Sequence, residues 1–246
     1  MIAFSLISWF SEYIVLEDLT CGFKRPCVLD LKLGTRQHGL NASETKIKSK
    51  TAKVNSTTSK TLGLRLCGMQ VYKPYQSESV FRDKYFGRKL DDTSFEENLK
   101  SFFDNGLHLR TDAIRTIIKR LELLFDVLST QSKFLFYATS ILLVYEGHVE
   151  KDFLAGKSLS TSSSADSGVF PSGGSLDMDH DPSPDEDSSR SAQMHLIDFA
   201  HTYPLYDGEI DSDSGVVFGV NSLLRLLRKF LEEDSVDVGS SGTSET

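Results

Sequence analysis

The stretch that decides the fold reads PCVLDLKLGTRQHG, from Pro26 to Gly39. Asp30 and Lys32 stand two residues apart, so in an extended strand their side chains point to the same side, and leucines occupy the other side. Gly34 then releases the chain into a turn that carries Arg36 and a histidine. A carboxylate can orient a hydroxyl and nearby cations can neutralise phosphate oxygens. The pattern therefore predicts a strand and turn suited to handling phosphate.

Charge is unevenly distributed along the 246 residues, whose formal net charge is −8. This length can bury a core, as one large domain or as two lobes. The basic segment contains Lys46, Lys48, Lys50, Lys53 and Lys60. The acidic segment contains Asp166, Asp177, Asp179, Asp181, Asp185, Glu186 and Asp187. A run of lysines is typical of a solvated loop, but beside the Asp30 and Lys32 motif it predicts an anionic partner.

The cysteines and the first residues limit the choice of compartment. Cys21, Cys27 and Cys67 form neither a disulfide framework nor a paired metal-ligand set, so we expect reduced thiols in a nuclear or cytosolic compartment. Residues 1–10 are apolar but too short to span a bilayer, and no cleavage site follows them. We interpret them as a buried strand or an ill-formed chain start, with a signal peptide as the alternative.

Patterning predicts an α+β fold. Apolar alternation and β-forming residues predict strands over Glu12–Leu19, Pro26–Gly34, Leu62–Tyr72, Phe134–Glu146 and Met194–Ala200. Helical spacing and caps predict helices over Ser94–Phe103, from Thr111 through the apolar series Ile114 to Leu128, and over Gly219–Leu231. Leu40–Lys60 reads as a polar loop with one short helical turn. The strands that end near Glu146 and Asp198 are expected to pair as a hairpin.

Asp198 is the candidate metal ligand. It follows the apolar run of a predicted strand and precedes Ala200, so a rigid strand end would hold its carboxylate beside a small residue. This resembles the metal-binding Asp-Phe-Gly of protein kinases. Mg²⁺ needs only one or two carboxylates together with phosphate oxygens. The alternative is a solvated Asp at a strand end.

Four motifs in order carry a family resemblance. The spacing P-x-x-x-D-x-K-x-G from Pro26 resembles the signature of the inositol polyphosphate kinase family, and Val28–Gly39 is similar to its inositol hexakisphosphate kinase branch. Phe81–Lys89 resembles the Asp-Lys-Tyr-x-Gly-Arg segment of that branch, and Tyr137–Gly147 resembles the family's Ser-Ser-Leu-Leu segment. His195–Thr202 supplies the fourth motif. Ser140 in the third motif is either close to the metal site or an ordinary buried hydroxyl.

The resemblance implies a kinase-like two-lobed α+β fold. The chain would hold mostly the C-terminal lobe, with the N-terminal lobe largely missing. The expected organisation is a remnant of an N-lobe strand and hinge at 1–19, catalytic lobe at 20–156 and 194–231, a disordered Ser/Asp-rich insertion at 157–193 and a flexible tail at 232–246. Because no lysine precedes Lys24, the lysine that the family places on the ATP phosphates is absent. We therefore expect a truncated chain.

The resemblance also implies roles for single residues. Asp30 would position or deprotonate the accepting group, Lys32 would bind the transferred phosphoryl or the substrate, and Asp198 would hold Mg²⁺. The backbone near Glu17 would contact the adenine of ATP, and Asp18 would contact the ribose. The expected substrate-binding residues are Arg36, Lys46, Lys48, Lys50, Lys84, Arg88 and His201.

The implied function is ATP-dependent phosphorylation of inositol hexakisphosphate to a diphosphoinositol, with Mg²⁺. The alternatives are a kinase of a lower inositol polyphosphate and a catalytically dead module that binds inositol phosphates. Nucleic acid is not an expected partner, because the lysines are not interleaved with stacking aromatic residues. We expect no membrane partner, and the sequence leaves the oligomeric state open.

Overall fold

A five-stranded antiparallel sheet organises the computed structural model, which describes residues 15–148, 192–205 and 215–240. Its strands are β1 Pro26–Leu33, β2 Leu64–Lys73, β3 Glu78–Arg82, β5 Ser140–Glu146 and β6 Ala192–Ile197. They lie side by side in the order β3-β2-β1-β5-β6. A second sheet pairs β4 Phe134–Phe136 with β7 Thr202–Pro204. The helices are α1 Glu44–Asn55, α2 Ser59–Leu62, α3 Lys84–Gly87, α4 Asp92–Phe103, α5 Thr111–Thr130 and α6 Gly215–Ser240.

Strand β1 is the central strand and separates the core from a polar face. Leu29, Leu31 and Leu33 are fully buried, and Asp30 and Lys32 alternate with them on the opposite face. Burying a leucine side chain stabilises the fold by roughly 2 kcal/mol, so these residues fix which face of β1 turns inward. A shift of register by one residue would exchange the two faces. The alternation therefore places the acid and the base of the motif on the same open side.

The long helices cover the leucine side of the sheet. Helix α5 packs against α6 and β6, α4 contacts β2, and α6 contacts β1. The apolar series predicted for α5 is confirmed as core. Ile114, Ile117, Ile118, Leu121 and Leu128 are buried, and Leu124 and Phe125 pack against them. None of the helices in the described ranges is long and apolar enough to cross a bilayer.

Glycines bring α6 close to the turn that follows β1. An added Cβ on Gly219 would lie 2.4 Å from the carbonyl oxygen of Gly63. The same carbonyl accepts the N–H of Gly34 at 2.8 Å. Gly34 and Gly63 have φ angles of +87° and +63°, a region that residues with a Cβ rarely adopt. These glycines thus allow the helix, the β1 turn and the start of β2 to meet without intervening side chains.

Some predicted elements differ from the structure because of contacts that the sequence pattern does not encode. The strand predicted over Glu12–Leu19 is wrong for residues 15–19, which are irregular, with Val15 and Leu16 exposed; residues 12–14 lie outside the described ranges. The loop predicted over Leu40–Lys60 is wrong, because α1 and α2 occupy most of it. Ser43 caps α1 by accepting the N–H of Lys46, but α1 buries only Val54, so it shows no apolar periodicity.

Three boundaries also change. The strand predicted over Phe134–Glu146 is two strands of different sheets, because Ala138 between them has a φ of +53° and turns the chain. Helix α4 is capped by Asp91, which forms a capping box with Ser94, so Ser94 lies inside the first turn. Helix α6 begins before Gly219 and ends after Leu231.

The predicted hairpin of β5 and β6 is confirmed by their antiparallel pairing. The expected insertion lies outside the described residues apart from Ala192 and Gln193, which begin β6. The domain boundaries stay a prediction.

Candidate active site

Strand register gathers polar residues of β1, β2, β5 and the end of β6 at one end of the sheet. Lys32 on β1 lies opposite Arg65 on β2 and opposite Ser140 on β5. Ser140 in turn lies opposite Ile197, the last residue of β6, and Asp198 follows directly. Asp30 lies one pleat further along β1 on the same face. Residues that are far apart in the sequence therefore meet here because antiparallel pairing aligns the strand ends.

Lys32 bonds to the residues just before β5 and just after β6. Its ammonium lies 2.5 Å from Asp198 Oδ2 and donates to the carbonyl oxygen of Ala138 at 2.9 Å. Ser140 Oγ donates to Asp198 Oδ2 at 3.4 Å. Ala138 and Asp198 both have positive φ angles, +53° and +65°, although neither is glycine. Such conformations persist where surrounding contacts hold them, and they cluster at functional sites.

Asp30 is a partly buried carboxylate with an unsatisfied oxygen. Its Oδ1 is buried and has no hydrogen-bond partner among the described residues. Burial raises the pKa of Asp30, and this outweighs the Ser140 hydroxyl and the Lys32 ammonium, which lower it; the charge of Asp198 adds to the increase. A buried acceptor without a donor is unfavourable unless a ligand supplies one. The site can therefore receive a hydroxyl, a water or a cation at Asp30.

The carboxylates fit a divalent cation that is shared with phosphate. The described residues contain no group of three or more His, Cys, Asp or Glu side chains that could hold a metal ion by themselves. Mg²⁺ commonly takes one or two carboxylates, and phosphate oxygens and waters complete its shell. The half-exposed Asp198 and the unpartnered Asp30 Oδ1 provide such a pair.

A group of cations lies beside these carboxylates, and we call it the cation cluster. Its members are Lys32, Lys46, Lys50, Lys53, Arg65 and Arg88. Lys46, Lys50 and Lys53 are spaced four and three residues apart, so they share one face of α1. The pKa of Lys50 is lowered by burial and then by the charges of Lys46, Arg65, Lys32 and Arg88. Burial and Arg88 likewise lower the pKa of Lys53. Neighbouring positive charges that disfavour one another's charged form indicate a binding site for a polyanion.

Arg65 is the most buried cation of the cluster, with 6 % of its surface exposed. Its Nη2 donates to Gln37 Oε1 at 3.0 Å and its Nη1 donates to Ser59 Oγ at 3.4 Å. No carboxylate of the described residues lies within ion-pair distance of it. Buried charges are normally paired, so the Arg65 guanidinium is placed to bind an anionic group of a ligand. From sequence alone, Arg65 could equally point to water.

The remaining predicted substrate residues divide into those near this end of the sheet and those apart from it. The guanidinium of Arg36 lies 4.1 Å from the centre of the Tyr137 ring, and the His201 ring stacks on Tyr203. Lys48 is exposed and lies off the face of α1 that carries the other lysines. Lys84 is exposed, with its ammonium 5.5 Å from the Tyr85 ring. Lys48 and Lys84 are therefore outside the cation cluster.

The predicted nucleotide residues lie on the segment before β1. Glu17 and Asp18 are exposed, and Asp18 Oδ1 accepts the N–H and the hydroxyl of Thr20 at 2.9 and 2.7 Å, which lowers the pKa of Asp18. Glu146 anchors the following segment, because its carboxylate accepts the backbone N–H groups of Lys24 and Arg25 at 2.7 and 3.0 Å. Among the described residues, no hydrogen bond or ion pair joins Glu17 or Asp18 to Asp30 or Lys32. Their nucleotide roles stay predictions.

Sequence reasoning omitted Lys53 and Arg65 from the candidate site. Lys53 was visible only as part of a lysine run, and the helical spacing of that run becomes meaningful once α1 is known to be a helix. Arg65 stands on a predicted strand, but its side was undetermined because a bulge near Asp30 and Leu31 shifts the register of β1 and β2.

The fold and the motifs together are typical of a phosphotransferase. Comparison with family profiles identifies the family to which the chain belongs. The family profile described as "Inositol polyphosphate kinase" matches residues 13–228. The chain therefore belongs to the inositol polyphosphate kinase family, and the resemblance inferred from the motifs is confirmed.

Individual relatives agree with this assignment. The chain is 38 % identical over 238 residues to inositol hexakisphosphate kinase 2 of Rattus norvegicus, covering 90 % of this chain and 52 % of that protein. It is 35 % identical over 229 residues to inositol hexakisphosphate kinase 3 of Mus musculus, covering 90 % of this chain and 51 % of that protein. The chain thus spans about half the length of the curated relatives it matches.

Solved structures confirm the kinase-like α+β fold. The inositol phosphate multikinase Ipk2 from S. cerevisiae, crystallised in complex with ADP and Mn²⁺, matches with a TM-score of 0.65 and 28 % identity. The match covers 88 % of this chain and 82 % of that one.

Proposed function

We propose that this chain carries the catalytic lobe of a kinase that transfers the γ-phosphoryl group of ATP to inositol hexakisphosphate, giving a diphosphoinositol. The observation that carries the proposal is the cation cluster, which includes Lys32 and lies next to Asp30 and Asp198. A substrate with many phosphates would neutralise the charges that, together with burial, lower the pKa of Lys50 and of Lys53. The names of the relatives support an inositol hexakisphosphate substrate, and the ADP and Mn²⁺ bound to the yeast multikinase support a nucleotide and a divalent metal.

The position of each residue in the site suggests its role in the reaction. Lys32 would bind the phosphoryl group in transfer, because its ammonium is the cation next to both carboxylates. Asp198 and Asp30 Oδ1 would hold the divalent ion, which supplies charge neutralisation for the phosphate oxygens. Arg65, Lys50 and Lys53 would bind the phosphates of the acceptor. Donors and charges placed before the reaction lower the transition-state energy without reorganisation.

The part played by Asp30 depends on the acceptor. A phosphate of inositol hexakisphosphate is already anionic, so Asp30 would orient it and bind metal rather than remove a proton. The second candidate is a kinase of a lower inositol polyphosphate, in which the acceptor is a hydroxyl. The raised pKa of Asp30 favours this candidate, since a general base works best when its pKa approaches the working pH. A third possibility is a module that binds the polyphosphate without turnover.

Turnover and binding measured on the same preparation test the proposal. The purified chain would be incubated with Mg²⁺-ATP and inositol hexakisphosphate, and the products separated by anion exchange, with Asp198→Asn as the inactive control. Calorimetry would give the affinity for inositol hexakisphosphate of Lys50→Met and of Lys48→Met. These two lysines stand on the same helix, one inside the cation cluster and one outside it.

We expect product from the parent chain and a loss of affinity on the order of tenfold for Lys50→Met alone. Tight binding without product would support the binding module. Equal affinities of the two lysine variants would contradict the assignment of the cluster to the substrate.

A further inference from the structure

We propose that Tyr137 is a positioning residue of this site, which acts by holding the Arg36 guanidinium on its ring for a phosphate of the substrate. The inference rests on the proposed function, because it assumes that Arg36 contacts the polyphosphate. It concerns a residue that neither the motif roles nor the cation cluster includes.

The contact between Arg36 and Tyr137 is close, and the guanidinium is not paired with a carboxylate of the described residues. The guanidinium carbon of Arg36 lies 4.1 Å from the centre of the Tyr137 ring, the shortest such distance among the described cation–ring pairs. Arg36 is half-buried and its Nε donates to the carbonyl oxygen of His38 at 3.4 Å. No carboxylate of the described residues is within ion-pair distance of Arg36. Stacking on a ring leaves the N–H groups at the guanidinium edge available to an anion.

Tyr137 is itself held firmly. Its side chain is buried, with 4 % exposed, and its backbone N–H donates to the carbonyl oxygen of His201 at 3.1 Å. Its ring contacts the Tyr203 ring at 6.0 Å, and Tyr203 stacks on His201. A rigid support lowers the rotamer entropy that a long arginine loses when it binds a ligand.

The turn that carries Arg36 closes against the same aromatic residues. An added Cβ on Gly39 would clash with Tyr203 Oη and His201 Nδ1, so a side chain there would displace either the turn or these two rings. Leu40 N–H donates to Tyr203 Oη at 3.2 Å. The end of the turn at Gly39 and Leu40 is thus held against Tyr203, whose ring contacts Tyr137.

Ala138 connects this arrangement to Lys32. Its N–H donates to the carbonyl oxygen of Arg36 at 3.3 Å, and its own carbonyl accepts the Lys32 ammonium at 2.9 Å. One residue therefore sets the spacing between Lys32 and Arg36, and its neighbour Tyr137 sets the direction of Arg36. The two cations would grip one polyphosphate from adjacent positions.

A double-mutant cycle on affinity for inositol hexakisphosphate tests the inference. Tyr137→Leu removes the ring, Tyr137→Phe keeps it, and Arg36→Gln removes the charge. Arg36→Lys keeps the charge and removes the planar guanidinium. Arg36 is only half-buried, so we expect this variant to keep the core intact. Tyr72→Leu is the matched control, because Tyr72 also lies under an arginine, Arg25, but at the far end of β1.

We expect Tyr137→Leu to bind on the order of fivefold more weakly and Tyr137→Phe to bind as the parent chain does. In the Arg36→Gln background, Tyr137→Leu should cause no further loss, since interacting residues are non-additive in such a cycle. Arg36→Lys should lose most of what Arg36→Gln loses, and this holds even if Tyr137→Leu fails to fold. Tyr72→Leu should leave the affinity unchanged.

The outcomes separate this inference from the proposed function. No binding by the parent chain would overturn both. Binding that Arg36→Gln weakens, but that Tyr137→Leu weakens equally with and without Arg36, would overturn the positioning role alone. Full affinity in Arg36→Lys would also overturn it, because an ammonium without the planar guanidinium and its edge N–H groups would then suffice.

Discussion

The ammonium of Lys32 lies 2.5 Å from Asp198 Oδ2, although 166 residues separate them in the chain. The pair exists because β5 lies between β1 and β6 and aligns their ends. An ammonium on this carboxylate occupies the place where a divalent cation would approach. A metal ion held by Asp198, as proposed above, would therefore compete with Lys32 for the same oxygen, and this competition can be measured.

Replacing Lys32 with methionine should strengthen binding of Mn²⁺ in the absence of nucleotide. A divalent ion and an ammonium about 4 Å apart repel by about 2 kcal/mol in water, so we expect roughly thirtyfold tighter binding at low ionic strength, measured by electron paramagnetic resonance. Lys100→Met is the control, because Lys100 pairs with Glu233 on the helical side of the molecule. Unchanged or weaker Mn²⁺ binding in Lys32→Met would show that the ion does not use Asp198.

Asp30→Asn should stabilise the fold at neutral pH. Burial raises the pKa of Asp30 above its ordinary value of 3.8, so the folded state holds its proton more tightly than the unfolded state does. The ionised carboxylate is therefore unfavourable at pH 7, and this penalty fades as pH falls through the raised pKa and is gone below 3.8. Urea unfolding at several pH values should show a gain in free energy of unfolding for Asp30→Asn that shrinks on acidification.

Asp91→Asn provides a comparison of opposite sign. Hydrogen bonds from Ser94 lower the pKa of Asp91 at the start of α4, so its charge stabilises the fold above pH 3.8 and that contribution is lost as pH falls through the lowered pKa. A pH-independent effect of Asp30→Asn would mean that Asp30 is not held in an unfavourable ionised state.

Lys53→Met should stabilise the ligand-free chain and weaken its binding of polyphosphate. Burial and then the charges of Arg88 and Lys50 lower the pKa of Lys53, so its ammonium is disfavoured in the folded state. The stabilisation should be largest at low ionic strength and shrink towards 1 M salt, where the screening length falls to about 3 Å. Thermal unfolding at two salt concentrations, with Lys48→Met as control, measures it. A lower melting temperature for Lys53→Met at low salt would contradict the mutual repulsion.

Gly219→Ala should destabilise the fold by about 2 kcal/mol through overpacking. The new methyl group would lie 2.4 Å from the backbone oxygen of Gly63, which is itself bonded to Gly34, so neither partner can move easily. Gly68→Ala is the matched control, since an added Cβ there meets no atom within 4 Å. Urea midpoints of the two variants give the comparison, and equal midpoints would exclude a close approach of α6.

The elements with strong apolar periodicity were predictable, and those without it were not. The alternation of β1 and the helical spacing of α5 reflect burial on one face, which any sequence window reveals. Helix α1 was not predicted because it buries only Val54, and its other residues, mostly lysines and polar side chains, show no apolar periodicity. The break at Ala138 was not predicted because nothing in an apolar run signals a left-handed residue.

The sequence by itself determined the α+β fold class, the family motifs and the side of β1 on which Asp30 and Lys32 stand, because each depends on residues that are neighbours in the chain. Only the tertiary structure decided which cations join the site. Arg65, Lys53 and Tyr137 reach it through strand register, a polar helix and a turn. The bond of Arg65 to Gln37 spans 28 residues, and the bond of Lys32 to Ala138, the neighbour of Tyr137, spans 106. Such contacts follow from how the whole core packs, which local pattern does not specify.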